Sequence, residues 1–395
     1  LTFFGPAALI IPKKYREDHM RWSRLAKAAV AAVWALTGTA HAADTLKIGM
    51  VQPITGAAAE SGKYQIQGAK LAIEAVNKAG GVLGKQVELV IEDDQTTNPG
   101  AVLAFSKLAS DPSIVAFIGS IRSTQVQAMS PDIQKTGKPV MVGGTDPTLT
   151  KAGNPWLFRC RPNDSYSARV MAAYGKETLG KAKWAIVHST DTFGTNGMKS
   201  LVAALKAMNI EPVLIQGYTN NSQDLTPVAL AVRQSGADIL ASYMTFETDA
   251  GLLAKQLRQL GSRIEWVGSA SLATVTAVKL GGSTLYGTYA IQDFNTDASD
   301  ASRDFAKKYQ AAYNATPDQF AAWTYDAATL LTSAINQAQS TEPAKIRDAL
   351  LAIKDRPGAE GTYTFDQNGD GLRGYNVVKN DGGTVKFVKR VEFKD

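Results

Sequence analysis

From Asp44 onward, short and continuously apolar runs alternate with longer segments whose apolar residues recur at helical spacing. "LKIGMV" (46–51) reads as a strand, and Ile66, Ala69, Ile73 and Val76 after it mark one face of a helix. "VELVIED" (87–93) is the next strand, followed by a helical stretch opening at Pro99, a residue suited to a first turn. "IVAFIG" (114–119), a helix from about Ser123, and "PVMVGG" (139–144) continue the series. A second run starts at "WAIVHS" (184–189) and proceeds through a helix near 197–209, "PVLIQGY", a helix near 224–235, "ILASYM", a helix near 248–260 and "IEWVGSA". Strands that are apolar throughout, between amphipathic helices, indicate parallel sheets covered on both faces. Two such runs predict two doubly wound α/β lobes.

The border between the runs is "FRCRPNDSYS" (158–167), rich in charge and broken by Pro162. Later, "TYAIQDFNTDAS" ends a strand and opens a helical stretch, with helices expected around 299–314, 318–339 and 342–353. A closing β region from Gly361 carries several turn signals. The C-terminal helices are most simply placed on the first lobe, so the chain must cross between lobes more than once. The expected division is 43–163 plus 294–365 for one lobe and 164–293 plus 366–395 for the other.

Composition changes this picture little. The 395 residues are 45% hydrophobic and 20% charged, ordinary for a globular protein of two domains. The net charge of +6 is concentrated at the N-terminus, where residues 1–43 hold six basic side chains against Glu17 and Asp18. The remainder is nearly balanced, which argues against nucleic acid as a partner. From Met20, a cationic start, the apolar "AAVAAVWAL" and the small-residue ending Ala40-His41-Ala42 match a cleavable export signal over 20–42. The apolar run is shorter than the roughly 20 residues a membrane span needs. Residues 1–19 are then expected to lie upstream of the natural start. An exported chain with Cys160 as its single cysteine has no intrachain disulfide, so its core must carry the fold.

Catalytic chemistry is hard to staff. His19 and His41 fall in the removable segment, leaving His188, which has no metal-spaced companion. Neither a G-x-S-x-G elbow nor a Walker A sequence occurs. "GGVLG" (80–84) precedes a strand and reads as a helix stop rather than a phosphate loop. "DQNGDG" (366–371) resembles half of a calcium loop, but position twelve is Val377, so a polar turn is the better account. No cofactor or metal site is expected. More informative is Ser123-Thr124 at a helix start just past a parallel strand. Hydroxyls there cap free amides in most proteins, and the same amides and helix dipole attract an anion. "VGGTDPTLT" follows the next strand, with Gly143, Gly144 and Thr145 adding donors. Two adjacent strand ends offering donors favour a carboxylate pocket at a sheet switch point.

The segments "LKIGMVQPITGAAAESG", "QGAKLAIEAVNKAGGVLGKQVELVIEDDQTTNP", "GGTDPTLT" and "AAWTYDAATLL", in this order and spacing, resemble the leucine/isoleucine/valine-binding class of periplasmic substrate-binding proteins of ABC transporters. The resemblance covers 44–395. It implies a type I periplasmic binding protein clamshell: two α/β Rossmann-like lobes joined by three crossing segments, closing over a small ligand and docking on a membrane permease. It also implies a periplasmic monomer that is not an enzyme. Carried over by position, the family's carboxylate-binding serine falls on Ser123, and its backbone contacts and threonine on Gly143, Gly144 and Thr145. Its aromatic wall falls on Phe193 and Phe246, with Phe320 from a later helix.

Two departures bear on the ligand. The acid that holds the ligand ammonium in branched-chain amino acid binders becomes Ala270, and the aromatic at the pocket mouth becomes Ser61. Either Glu247 or Asp249 substitutes for the acid, or the ligand lacks an α-ammonium group. Arg122 reads as a surface charge, a cleft salt bridge or a bidentate carboxylate ligand. An amino acid is the leading ligand class, with an aromatic or short organic acid or an amide as the alternative. A receptor-docking sensor is a further alternative on the same fold.

Overall fold

The structure, a computed structural model, describes residues 45–394 together with 1–3 and 5. The expected export signal, its upstream extension, His19 and His41 lie outside the described residues.

Strands β1 (Leu46–Gln52), β2 (Val87–Asp93), β3 (Ile114–Ile118), β4 (Val140–Val142) and β5 (Leu157–Arg159) form a parallel sheet in the order β2-β1-β3-β4-β5. Helices α1 (Ala59–Lys78), α2 (Asn98–Ala109) and α3 (Ser123–Thr136) connect its strands. The uninterrupted apolar character of β3 follows from burial on both faces. Ala116 and Ile118 join a core with α1 residues such as Ala69 and Ile73, whereas Phe117 packs with Phe105 of α2 and Val126 and Met129 of α3.

The second sheet starts with parallel strands β6 (Trp184–Ser189), β7 (Leu214–Tyr218), β8 (Ile239–Tyr243), β9 (Glu265–Gly268) and β10 (Tyr289–Gln292). Its helices are α4 (Asp164–Ala173), α5 (Thr192–Ala207), α6 (Thr226–Gln234), α7 (Glu247–Gln259) and α8 (Val275–Gly281). The chain then returns to the first sheet with α9 (Asp300–Tyr313), α10 (Gln319–Ala338) and α11 (Pro343–Leu351). Helix α10 packs along α1, and Gly68 makes this possible: a Cβ there would stand 2.0 Å from the Ala321 carbonyl oxygen. After a small pairing of β11 (Arg356–Pro357) with β12 (Thr362–Tyr363), strand β13 (Gly374–Asp381) adds antiparallel to β10 and β14 (Thr384–Glu392) antiparallel to β13. The full order is β14-β13-β10-β9-β8-β6-β7.

Local detail refines the sequence reading, and one expected helix boundary moves. The expected border contains the passage at 160–163, between the end of β5, parallel to β4, and the start of α4, capped by Asn163 through the Ser165 amide at 3.0 Å. Helix α5 begins at Thr192, ahead of the expected 197, because Asp191 accepts from the Gly194 amide at 2.9 Å. Helix α3 starts at Ser123, as expected, with Arg122 at its cap position and no capping side chain. The "DQNGDG" segment folds as a turn in which the Asp366 carboxylate accepts from the amides of Asn368 and Asp370 at 2.8 and 2.9 Å.

The chain passes between the sheets at 160–163, 293–299 and 364–373. Two buried ion pairs bind these passages together. Arg159, fully buried, reaches Asp370 with Nε and Nη2 at 2.8 and 2.9 Å, joining the first passage to the third. Arg161 forks onto Asp293, joining the first to the second. Tyr375 adds a 2.6 Å bond to the Pro162 carbonyl and Tyr363 a 2.8 Å bond to that of Cys160. Removing one member of a buried pair leaves the other charge uncompensated, so Asp370→Ala should lower the unfolding free energy by about 3–5 kcal/mol. Asp370→Asn, which keeps acceptor capacity, should cost less; urea denaturation followed by circular dichroism measures both.

Candidate functional site

The carboxyl ends of β3 and β4 face those of β6, β8 and β9 across a cavity of about 280 Å³. The turn that leads from β3 into α3 is built for a close approach. Gly119 has φ +120°, and a Cβ there would lie 2.2 Å from the Val51 carbonyl oxygen. The chain then turns so that Ile121, Arg122, Ser123 and Thr124 line the cavity. The first intrahelical bond at this end runs from the Val126 amide to the Arg122 carbonyl, so the amides before it have no helical partner. Ser123 is buried and its Oγ accepts from the Asp146 amide at 3.1 Å, which leaves its own proton to donate.

Thr145 lines the same wall, but its hydroxyl donates to Asp164 at 2.7 Å. Gly143 and Gly144 do not line the cavity. The Gly143 amide is spent on the Ser120 carbonyl at 3.0 Å, and its carbonyl accepts from Arg161 at 3.2 Å. Side chains explain the glycines: a Cβ would meet Trp323 at 3.1 Å from Gly143 and Leu149 at 2.8 Å from Gly144. Ser61 also lies off the cavity, buried in the first turn of α1 with its Oγ donating to the Ala58 carbonyl at 2.9 Å. His188 is absent from the lining too, its Nδ1 2.9 Å from the Ser189 carbonyl.

From the second sheet come Phe193 in the first turn of α5, Phe246 and Glu247 at the start of α7, and Ala270 after β9. Phe193 stands edge-on to Tyr243 at 5.8 Å, and Phe320 reaches the cavity from the first turn of α10. Asp249 does not line the cavity and accepts from the Asn221 amide at 3.0 Å; burial pushes its carboxyl up to about 6. Sequence reasoning missed Arg161, Asp164, Asp191, Asn220, Thr245 and Tyr375, which also line the wall. The charge-rich "FRCRPND" held a usable signal for the first two. Tyr375 had none, because its strand enters the site only through an antiparallel pairing with β10.

Charge in the cavity is unevenly committed. Asp191 accepts from Ser189, the Gly194 amide, Asn220 and Thr245. Asp164 accepts from Thr145 and Ser167, yet burial pushes it up to about 7. Arg122 sits with its guanidinium 4.9 Å from the Phe246 ring centroid, and its Nε and Nη1 are shielded from solvent without a partner. Burial lowers its pKa, opposed by Glu247, Asp94 and Asp191. Direct bonds also join the two sides. The Thr192 amide donates to Thr124 at 3.3 Å, the Thr192 hydroxyl to Gln127 at 2.9 Å, and Asn196 to Asp146 at 2.8 Å.

Residues 45–384 match the family model described as "Periplasmic binding protein". The chain belongs to this family. It is 28% identical over 374 residues to Leu/Ile/Val-binding protein homolog 3 of Brucella melitensis, covering 93% of this chain and 99% of the relative. It is 26% identical to the leucine-, isoleucine-, valine-, threonine-, and alanine-binding protein of Pseudomonas aeruginosa, over 90% and 94% of the two chains. A solved structure of the branched-chain amino acid transporter substrate binding protein LivJ from Streptococcus pneumoniae, in complex with isoleucine, superposes with a TM-score of 0.81. That pair is 25% identical, with 88% of this chain and 99% of the other covered. The chain is thus a periplasmic binding protein of the branched-chain amino acid transporter type, and its relatives are binding proteins rather than enzymes.

One carboxyl beside the site ties the binding protein's stability to pH. Asp318 caps α10 through the Phe320 amide at 2.9 Å, while its second oxygen is buried without a partner. Burial, with a contribution from the nearby Glu247 charge, pushes it up to about 7. A carboxyl raised in the folded state costs nothing below its unfolded pKa near 4 and destabilises increasingly as pH rises towards 7. Asp318→Asn keeps the cap and removes the titration. The variant should therefore gain stability relative to wild type between pH 4.5 and 7.5, by about 2–4 kcal/mol, in urea titrations at the two pH values.

Proposed function

We propose that this protein is the periplasmic solute-binding component of an ABC importer. It takes a small carboxylate-bearing ligand, an amino acid as the leading class, between its lobes and delivers it to a membrane permease. The observation that carries this reading is the start of α3. Unpaired first-turn amides, the positive end of the helix dipole and the free Ser123 proton converge on the cavity, a ready anion site. Phe193, Phe246 and Phe320 supply apolar wall for the rest of the ligand. Export through the segment at 20–42 and action as a monomer belong to the same reading.

A second reading rests on Ala270: with no acid at that position, the ligand is an aromatic or short organic acid, or an amide, without an α-ammonium group. Calorimetry with the twenty L-amino acids, their des-amino acids, benzoate and small amides separates the two. Tight binding restricted to L-amino acids is the expected result, and tight binding restricted to the acids or amides would replace it. Ser123→Ala should weaken the best ligand by roughly tenfold, the worth of one hydrogen bond to a charged group.

A further inference from the structure

The cavity holds one cation whose donors are unspent and one carboxylate that no other residue serves. Arg122 keeps Nε and Nη1 shielded and unpartnered, and no ion pair among the described residues joins it to a carboxylate within 4.0 Å. Across the cavity, Glu247 is 4% exposed and held by its own backbone amide at the start of α7. Asp164 and Asp191, the other carboxylates on the wall, are engaged by protein hydroxyls and amides. The two uncommitted groups come from opposite lobes and are brought together by Phe246, which precedes Glu247 in the chain and carries the Arg122 guanidinium over its ring.

We propose that Arg122 and Glu247 are the charged recognition pair of this site: Arg122, with the start of α3, binds the ligand carboxylate, and Glu247 binds the ligand ammonium. This rests on the amino-acid reading above and deepens it by placing the ammonium acceptor at Glu247 rather than at position 270. The field around Arg122 gives an independent reason. Glu247, Asp94 and Asp191 all act on it, yet burial outweighs them and lowers its pKa, while burial raises that of Glu247, so each group lacks a close opposite charge. A bare carboxylate would add negative charge to a desolvated region rich in acids. A zwitterion fills the donors of Arg122 and the acceptors of Glu247 and leaves the net charge unchanged. The same pairing makes the ligand a bridge between lobes, because neither lobe alone supplies both charges.

The test is calorimetry on purified protein freed of carried-over ligand, using the L-amino acid that wild type binds most tightly, its des-amino acid and its des-amino primary amide. Glu247→Gln should weaken the amino acid by at least about 30-fold and leave the residual binding of the des-amino acid within threefold. Arg122→Gln should weaken both. Thermal midpoints without ligand check that the variants fold, and Glu247→Asp and Arg122→Lys replace any that do not, each with a smaller loss expected. Amino-acid binding by Glu247→Gln within threefold of wild type would overturn the pair and leave the amino-acid reading standing. Wild type that binds the des-amino acid or the amide as tightly as the amino acid, or binds no amino acid, would overturn both.

Discussion

The geometry of the site depends on the short passage Arg159–Cys160–Arg161–Pro162, where two buried arginines point in different directions. Arg159 fixes the passage to Asp370 and Arg161 fixes it to Asp293, so three chain crossings far apart in sequence behave as one pivot. Such pairs are costly to bury and costlier to break, which favours one arrangement of the crossings over nearby alternatives. Arg161 also lines the cavity and holds the Gly143 carbonyl. The pivot and the pocket therefore share an atom-level boundary, and a shift at one is felt at the other.

From this pivot the cavity inherits its asymmetry. On the cavity wall near the crossings, polar groups are already engaged: Asp164 holds Thr145 and Ser167, and Tyr375 is bonded to Pro162. Near Arg122, polar groups are charged and uncommitted. A desolvated guanidinium over an aromatic face retains favourable energy from the ring quadrupole, about 0.5–2 kcal/mol, without spending its hydrogen-bond donors. That is how a half-buried cation is held in place with its donors still free for the proposed ligand.

Much of the fold was legible because β3, β6 and β8 are buried along almost their whole length, and such strands announce themselves as apolar runs. Strand β5 was not, since three residues within a charge-rich stretch give no period to read. At the site, Ser123 and Phe193 were reachable because each sits in a polar loop beside a strand end, a local feature. Gly143 and Gly144 misled because glycine after a strand suggests an exposed amide. Here it makes room for Trp323 and Leu149, and the Trp323 contact comes from a helix about 180 positions away. The commitment of Thr145 to Asp164, and of Arg122 to the face of Phe246, are contacts between lobes that no local pattern encodes.

On the proposed function, those cross-lobe contacts bear on how a small ligand would shift the arrangement of the two lobes. Thr192 to Thr124 and Gln127, and Asn196 to Asp146, are partly exposed hydrogen bonds of about 0.5–1.5 kcal/mol each. Against them stands the cost of bringing Glu247 on one lobe towards Asp318 on the other, two carboxyls whose pKa values are both raised, mainly by burial. A ligand shifts such a balance only through affinity that differs between the open and closed arrangements. Because Ser123 and Phe320 lie on one lobe and Phe193, Phe246 and Glu247 on the other, a ligand bound as proposed would touch both lobes at once.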